Sequence, residues 1–199
     1  MAPIVRSLRC AWLIVATFGF VPHAAAKDAC GAGSRSSADA SNGALYGPGD
    51  IYGKIPARDE FGRDQLAMFR EWNPDPVSNH EANLRAIEPF LARVVRKAQG
   101  DNPGLRFVIG SGKRDLRLQR KAFAWGWSKT QGGPHQTGSA VDLWPLDDGG
   151  CVHFDPATQN RIGAAMKKAA AELGVRIRWG GHFHSFKRMD RSHFELARD

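Results

Sequence analysis

Two short stretches of the chain carry residues able to do chemistry. GGPHQTGSAVDLWP, from Gly132 to Pro145, sets His135 and Asp142 on either side of Gly138, and DRSHFEL near the C-terminus offers His193 with Asp190 three residues before it. Two neutral imidazoles and one carboxylate are borderline-to-hard donors that suit zinc, and three protein ligands leave a fourth tetrahedral position for water. The residues therefore read as a mononuclear zinc hydrolase centre, one ion per chain, held by His135, Asp142 and His193. Asp190 remains as a spare carboxylate. A lone histidine near a strand is more often surface or core filler, but three donors together shift that balance.

The elements that must position these donors follow from side-chain alternation. If SAVDLW is a strand, Ala140, Asp142 and Trp144 share one face and Val141 and Leu143 the other. Ala140 leaves room for an ion beside Asp142, and Gly138 lets the loop carrying His135 fold back toward it. In HFEL the same alternation joins His193 with Glu195, so a neighbouring strand, parallel or antiparallel, aims His193 at the same ion. Glu195 is then placed to orient a ligand from behind. LRFVIG reads as another short strand, delivering Ser111 and Arg114 to its C-terminal end. On these residues alone Arg114 fits a surface arginine, capping a helix or pairing with an acid, better than a catalytic group.

Helical periodicity supplies the remaining scaffold. Leu84, Ile87, Phe90, Leu91, Val94 and Val95 recur at three and four, and Pro89 belongs in a first turn, which predicts a helix over 88–98. Asp155 as N-cap, Pro156 and a stop at Gly174 predict the longest helix over 156–173, with Ile162, Ala165, Met166, Ala169 and Leu173 as its buried stripe. In DLRLQRKAFAWG, Leu116 and Phe123 are expected in the core. DQLAMFREW is expected to be a short helix laying Leu66, Phe69 and Trp72 on the main domain. VRIRW is a strand ending at Trp179, and His182 and His184 fall in a loop near the metal as rim residues. His153 lies in an alternating strand and is not expected to be a ligand. The predicted fold is α+β: a small, mostly antiparallel sheet with helices packed on one face and a zinc cleft on the other.

Taken together, SGKR at 111–114, Gln119, HxxGxAxD at 135–142, WGGHF at 179–183 and DxxHFEL at 190–196 resemble the M15 family of zinc peptidases. The resemblance covers about residues 83–197. It implies a peptidase acting on peptidoglycan stem peptides, with Asp190 as general base and Arg114 holding a substrate carboxylate or carbonyl and stabilising the oxyanion. Ser111, Gln119, Trp179 and His182 are implied as substrate contacts, Gln119 alternatively as a support behind the ligands. Aspartate at 190 before HFE resembles the L-alanyl-D-glutamate endopeptidase branch, since the D-Ala-D-Ala branches usually carry glutamate there. D-Ala-D-Ala carboxypeptidase activity is the alternative within enzymes, and a zinc-stabilised wall-binding module the alternative outside them; Asp190 separates the latter, because a binding module needs no such carboxylate. Gly133 and Lys113 depart from the serine and tyrosine frequent in the family, at the rim and not at a ligand.

Length and composition bound the rest. A chain of 199 residues with 42% hydrophobic content supports one core. Arg6 and Arg9, the apolar run Ala11 to Val21, and Ala24 to Ala26 read as a signal peptide over 1–26, with Pro22 and His23 arguing against a retained anchor. Neither Cys10 nor Cys30 has a lipoprotein-like context. Residues 27–79 read as a Gly/Ala/Ser-rich linker and N-terminal arm, and 80–199 as the peptidase domain. After the leader, Cys30 and Cys151 remain: either a disulfide tying arm to domain, or a thiol in a tail and another in a loop. Loss of the leader's two arginines takes the net charge from +8 to +6, which favours association with an anionic wall by steering. No nucleic-acid motif occurs, so the expected partner is peptidoglycan, met by a monomer without a stable membrane anchor, in the periplasm or outside the cell. The exported protein is expected to begin at Lys27, and intact mass of the exported fraction checks this: a retained leader contradicts it.

Overall fold

Four short strands, each turning apolar side chains toward a helix-covered core, build the sheet. They are β1 (Phe107–Ser111), β2 (Ala140–Pro145), β3 (Ile177–Trp179) and β4 (His193–Leu196), in the order β1-β2-β4-β3, each neighbouring pair antiparallel. The computed structural model describes residues 30, 50–183 and 190–197. The expected signal peptide, most of the linker and His184 lie outside them.

Six helices accompany the sheet among the described residues: α1 (Gln65–Trp72), α2 (His80–Ala86), α3 (Pro89–Gly100), α4 (Leu116–Ala124), α5 (Pro134–Thr137) and α6 (Pro156–Glu172). Their ends follow the expected local chemistry. Asp155 accepts from Thr158 N, Pro156 opens α6, and Gly174 follows it with φ +65°. Pro89 opens α3, so the apolar period that begins at Leu84 is divided between two helices at the extended residue Ile87. None of the described helices is long and apolar enough to cross a membrane.

One face of the sheet carries the main core. Phe107, Ile109, Val141, Leu143, Phe194 and Trp179 meet Leu91, Val94 and Val95 of α3 and Ile162, Met166 and Ala169 of α6. His80 ties α2 to this layer: its Nδ1 accepts from Ile109 N at 3.1 Å while Nε2 faces Gln99 Oε1 at 3.3 Å. The expected helix-covered face is therefore present.

The opposite face is covered at one end by the segment before the predicted domain. Tyr52, Ile55 and Phe69 pack on Val108, Trp144, Leu146 and Val152. The helix expected over DQLAMFREW is α1, and Asn73 just after it donates to Gly110 O at 3.0 Å. A disulfide joins Cys30 to Cys151, with Cα atoms 5.3 Å apart, so the alternative that tied the arm to the domain is the one the structure has. The other end of this face is left for the chemistry.

Helix α4 corrects the sequence reading. Leu116 is 62% exposed and Phe123 43% exposed, while Gln119 and Ala122 are buried. Asp115 caps the helix and fixes its start. That orientation turns the polar Gln119 inward to brace a loop, so hydrophobicity alone chose the wrong stripe.

Gly110 sits at the register irregularity of β1, where a Cβ would lie 1.8 Å from the Trp144 indole. Gly110→Ala is expected to force strand and ring apart, at a cost of about 1–3 kcal/mol or more. Thermal or denaturant unfolding measures it, and unchanged stability would contradict the packing described.

Candidate metal centre

Strand pairing brings the donors together. Asp142 and His193 are direct partners across the β2–β4 ladder, their side chains projecting on the same face. His135 arrives from the one-turn helix α5, which Gly138 ends at φ +80°. A side chain at Gly138 would also press within 3.1 Å of Ile87 Cα, so this left-handed, crowded turn favours glycine twice over. Arg114 N then donates to His135 O at 2.9 Å, fastening α5 to the end of β1.

The donor atoms face one another at close range. His135 Nε2 lies 3.2 Å from His193 Nδ1, His193 Nδ1 lies 3.1 Å from Asp142 Oδ1, and His135 Nε2 lies 3.4 Å from Asp142 Oδ1. Three ligands of a tetrahedral zinc with bonds near 2.1 Å form a triangle with edges of about 3.4 Å. The residues present therefore fit such an ion. They are a group that could hold a metal, His135 buried and the other two nearly so.

Every donor is also held from behind. His135 Nδ1 faces Gly112 O at 2.9 Å, His193 Nε2 faces Glu195 Oε2 at 3.1 Å, and the second oxygen of Asp142 takes the Arg114 guanidinium. A carbonyl and a carboxylate accept, so each imidazole donates there and leaves its other nitrogen facing the shared centre. Glu195 sits where alternation predicts, and Arg178 holds it at 2.9 Å. The sequence reading missed Arg178, although alternation in VRIRW put it on the site face.

Arg114 is buried beside Asp142. It is 5% exposed, donates from Nε to Ser111 Oγ at 2.9 Å, pairs with Asp142 and stacks 5.1 Å over the Trp72 ring. Its guanidinium is turned onto Asp142, the pairing with an acid that the residues alone suggested. Ser111 Oγ accepts the bond from Nε and so helps to hold Arg114 behind Asp142. Gln119 donates to Ser128 Oγ at 2.9 Å and Thr130 O at 2.7 Å, supporting the loop before His135, which is the alternative that made it a support.

Trp179 is not in the cleft wall. It pairs directly with Phe194, and both point to the helix-covered face, where the indole packs on Gly163 and donates to Arg191 O at 2.9 Å. Alternation from His193 already excluded it from the site face. His182 is exposed, its ring 4.9 Å from that of Trp179. His153 is exposed and apart from the donor group.

The electrostatics follow from crowding and partners. Burial works against ionised Asp142, but attraction to His135 and Arg114 and the hydrogen bonds to His135 and His193 hold its carboxyl well below the usual range. Burial alone would lower His193, yet its bonds to Asp142 and Glu195, helped by the charges of Asp142 and Asp190, raise it to about 10 without a metal. Asp190 keeps surface open to solvent, and Ser192 Oγ donates to it at 2.8 Å. Its carboxyl is nonetheless raised, by lost hydration on the crowded cleft side and then by the charge of Asp142. The Gly180 backbone passes close to Asp190: a Cβ on Gly180 would lie 2.2 Å from Asp190 O.

Comparison with known proteins agrees with this geometry. The phage L-alanyl-D-glutamate peptidase family matches residues 77–197. The chain belongs to this family. The L-alanyl-D-glutamate peptidase of Escherichia phage T5 is 28% identical over 110 residues, 54% of this chain and 80% of that protein. The crystal structure of the Serratia marcescens L-Ala D-Glu endopeptidase ChiX is 30% identical, with a TM-score of 0.55, covering 63% of this chain and 93% of that one. The family match begins six residues before the resemblance read from the motifs.

His193 generates a pH prediction. Its raised pKa means that charged His193 stabilises the metal-free fold fully below the ordinary 6.5 and that this contribution fades as pH rises through about 10. Metal binding at Nδ1 must displace that proton. Zinc binding near pH 8 is expected to release about one proton from His193, with affinity rising about ten-fold per pH unit toward 10. Titration calorimetry in buffers of different ionisation enthalpy checks this, and His193→Ala is expected to abolish the release.

Proposed function

We propose that this chain is an exported zinc endopeptidase that cuts the L-alanyl-D-glutamate bond of peptidoglycan stem peptides. The observation that carries the reading is the triangle of His135 Nε2, Asp142 Oδ1 and His193 Nδ1, each donor fixed from behind, in a chain of the L-alanyl-D-glutamate peptidase family. Relatives bearing that peptidase name support the bond and the substrate. The Cys30–Cys151 disulfide supports an oxidising compartment, as does the predicted leader.

His135, Asp142 and His193 would hold the zinc, which supplies Lewis acidity and lowers the pKa of bound water toward neutrality. The protein's own groups divide the remaining work. Asp190 takes a proton from the attacking water on its carboxylate and returns it to the leaving amine. A raised pKa suits this task, because a stronger base near neutral pH accepts the proton more readily. Glu195 fixes the tautomer of His193, and Arg114 fixes the orientation of Asp142, so neither ligand needs to reorganise during turnover.

Digestion of purified peptidoglycan by the zinc-loaded protein, with products identified by mass spectrometry, tests the reading. The expected products are muramyl-L-alanine ends and peptides beginning with D-glutamate, lost on adding a chelator and restored by zinc. Release of terminal D-alanine instead would establish the carboxypeptidase alternative. Asp190→Asn is expected to keep zinc and fold while losing about a hundred- to ten-thousand-fold in rate. Wild-type turnover by zinc-replete Asp190→Asn would move the base to Glu195 or His182.

A further inference from the structure

Beside the donor cluster lies a concentration of aromatic surface that the chemistry above does not use. Trp72 ends α1, and Trp125 and Trp127 follow α4; their ring centroids are 6.2 Å apart for Trp72 and Trp125, 5.4 Å for Trp72 and Trp127, and 5.2 Å for Trp125 and Trp127. All three indoles are half-buried. Trp72 and Trp127 back onto the core around Phe69 and Trp144, and Trp125 stands outside it. Arg63 donates to Trp125 O at 2.8 Å and Lys121 sits 5.3 Å from its ring centroid, fixing the outermost indole. At the inner end, the Arg114 guanidinium that holds Asp142 lies 5.1 Å over Trp72. Trp72 is thus one side chain, the Arg114 guanidinium, away from the Asp142 carboxylate.

We infer that this surface is a subsite for the N-acetylmuramyl sugar that carries the stem peptide. The inference rests on the reading of the site as a peptidoglycan peptidase. In peptidoglycan, L-alanine is amide-linked to the lactyl group of N-acetylmuramic acid, so the bond assigned for cleavage lies one residue from a sugar ring. The stem peptide itself offers carboxylates, an amine-bearing or second carboxylate side chain, and methyl groups, none of which presents a flat apolar face. A pyranose does: its axial C–H groups lie over the electron-rich face of an indole, and both surfaces leave water on contact. A few polar groups near an apolar platform are the usual make-up of such a subsite, and Lys121 and Arg63 stand beside this one. Trp72 lies before the family-matched residues 77–197, so the arm contributes part of the surface.

The test uses zinc-loaded full chain with two substrates of the same peptide, one linked to N-acetylglucosaminyl-N-acetylmuramic acid and one without sugar. Wild type is expected to show kcat/KM about ten-fold higher on the sugar-linked peptide, mostly through KM. Trp125→Ala is expected to bring the ratio near one, and Trp125→Phe to retain part of it. The free disaccharide is titrated in parallel by calorimetry and tryptophan fluorescence, which needs no turnover. Saturable binding weakened by Trp125→Ala supports the subsite even if neither peptide is cleaved, an outcome that would overturn the peptidase reading alone. Equal ratios in wild type and Trp125→Ala, or absence of disaccharide binding, overturns the subsite while leaving peptide cleavage intact.

Discussion

The structure depends on one register: Asp142 opposite His193 in the β2–β4 ladder. Side chains alternate with period two, so a slip of one residue would turn His193 into the core and carry Phe194 to the metal face. The neighbouring interactions fix that register from several directions. Leu143 N donates to Ser192 O at 2.8 Å and Leu196 N to Ser139 O at 2.9 Å, while Phe194 is fully buried between the helices and the sheet. Hydrophobic burial thus decides which way the histidine points, and the same alternation that builds the core builds half the site.

Charge is the second constraint. Asp142 and Arg114 are both nearly buried, and isolated charges in such a place are costly unless paired and hydrogen-bonded. Ser111 and Trp72 complete the surroundings of the guanidinium, and His135 and His193 complete those of the carboxylate. Without a metal, the proton on His193 balances Asp142 and Glu195. A divalent ion can replace that proton without rearranging the partners, because the groups behind the donors bind them through other atoms. The groups behind the donors thus use atoms other than those that face the shared centre.

The parts of the site that strand alternation governs were legible from sequence. Asp142, His193 and Glu195 fall where period-two reasoning puts them, and the antiparallel α+β sheet follows from the same pattern. Caps and prolines likewise located α3 and α6. Trp179 was misplaced because a motif resemblance was followed where alternation, applied from Phe194, pointed to the opposite face. Leu116 and Phe123 were misplaced because α4 buries a polar residue: Gln119 is needed to satisfy loop groups at Ser128 and Thr130, and apolar composition does not register such a need. Arg114 and Ser111 were legible as residues of the site, and the three-dimensional arrangement adds that the guanidinium is turned onto Asp142.

The arm illustrates how far a site extends beyond the motif that names its family. A sheet this small buries one face against helices and must cover the other or leave Val108 and Trp144 exposed. The segment from Tyr52 to Asn73 supplies that cover, and the disulfide at Cys151 closes the far side of it. Covering has a chemical effect as well as a stabilising one. Trp72 lies against Arg114, and Asn73 binds the carbonyl of Gly110 where β1 bends toward Ser111. Excluding water there strengthens the Arg114–Asp142 pairing, since the attraction between opposite charges grows as the local dielectric falls. The Asp142 carboxylate is thus held by an arginine whose own environment is completed from outside the family-matched residues, which makes the arm a part of the candidate site and not an appendage to it.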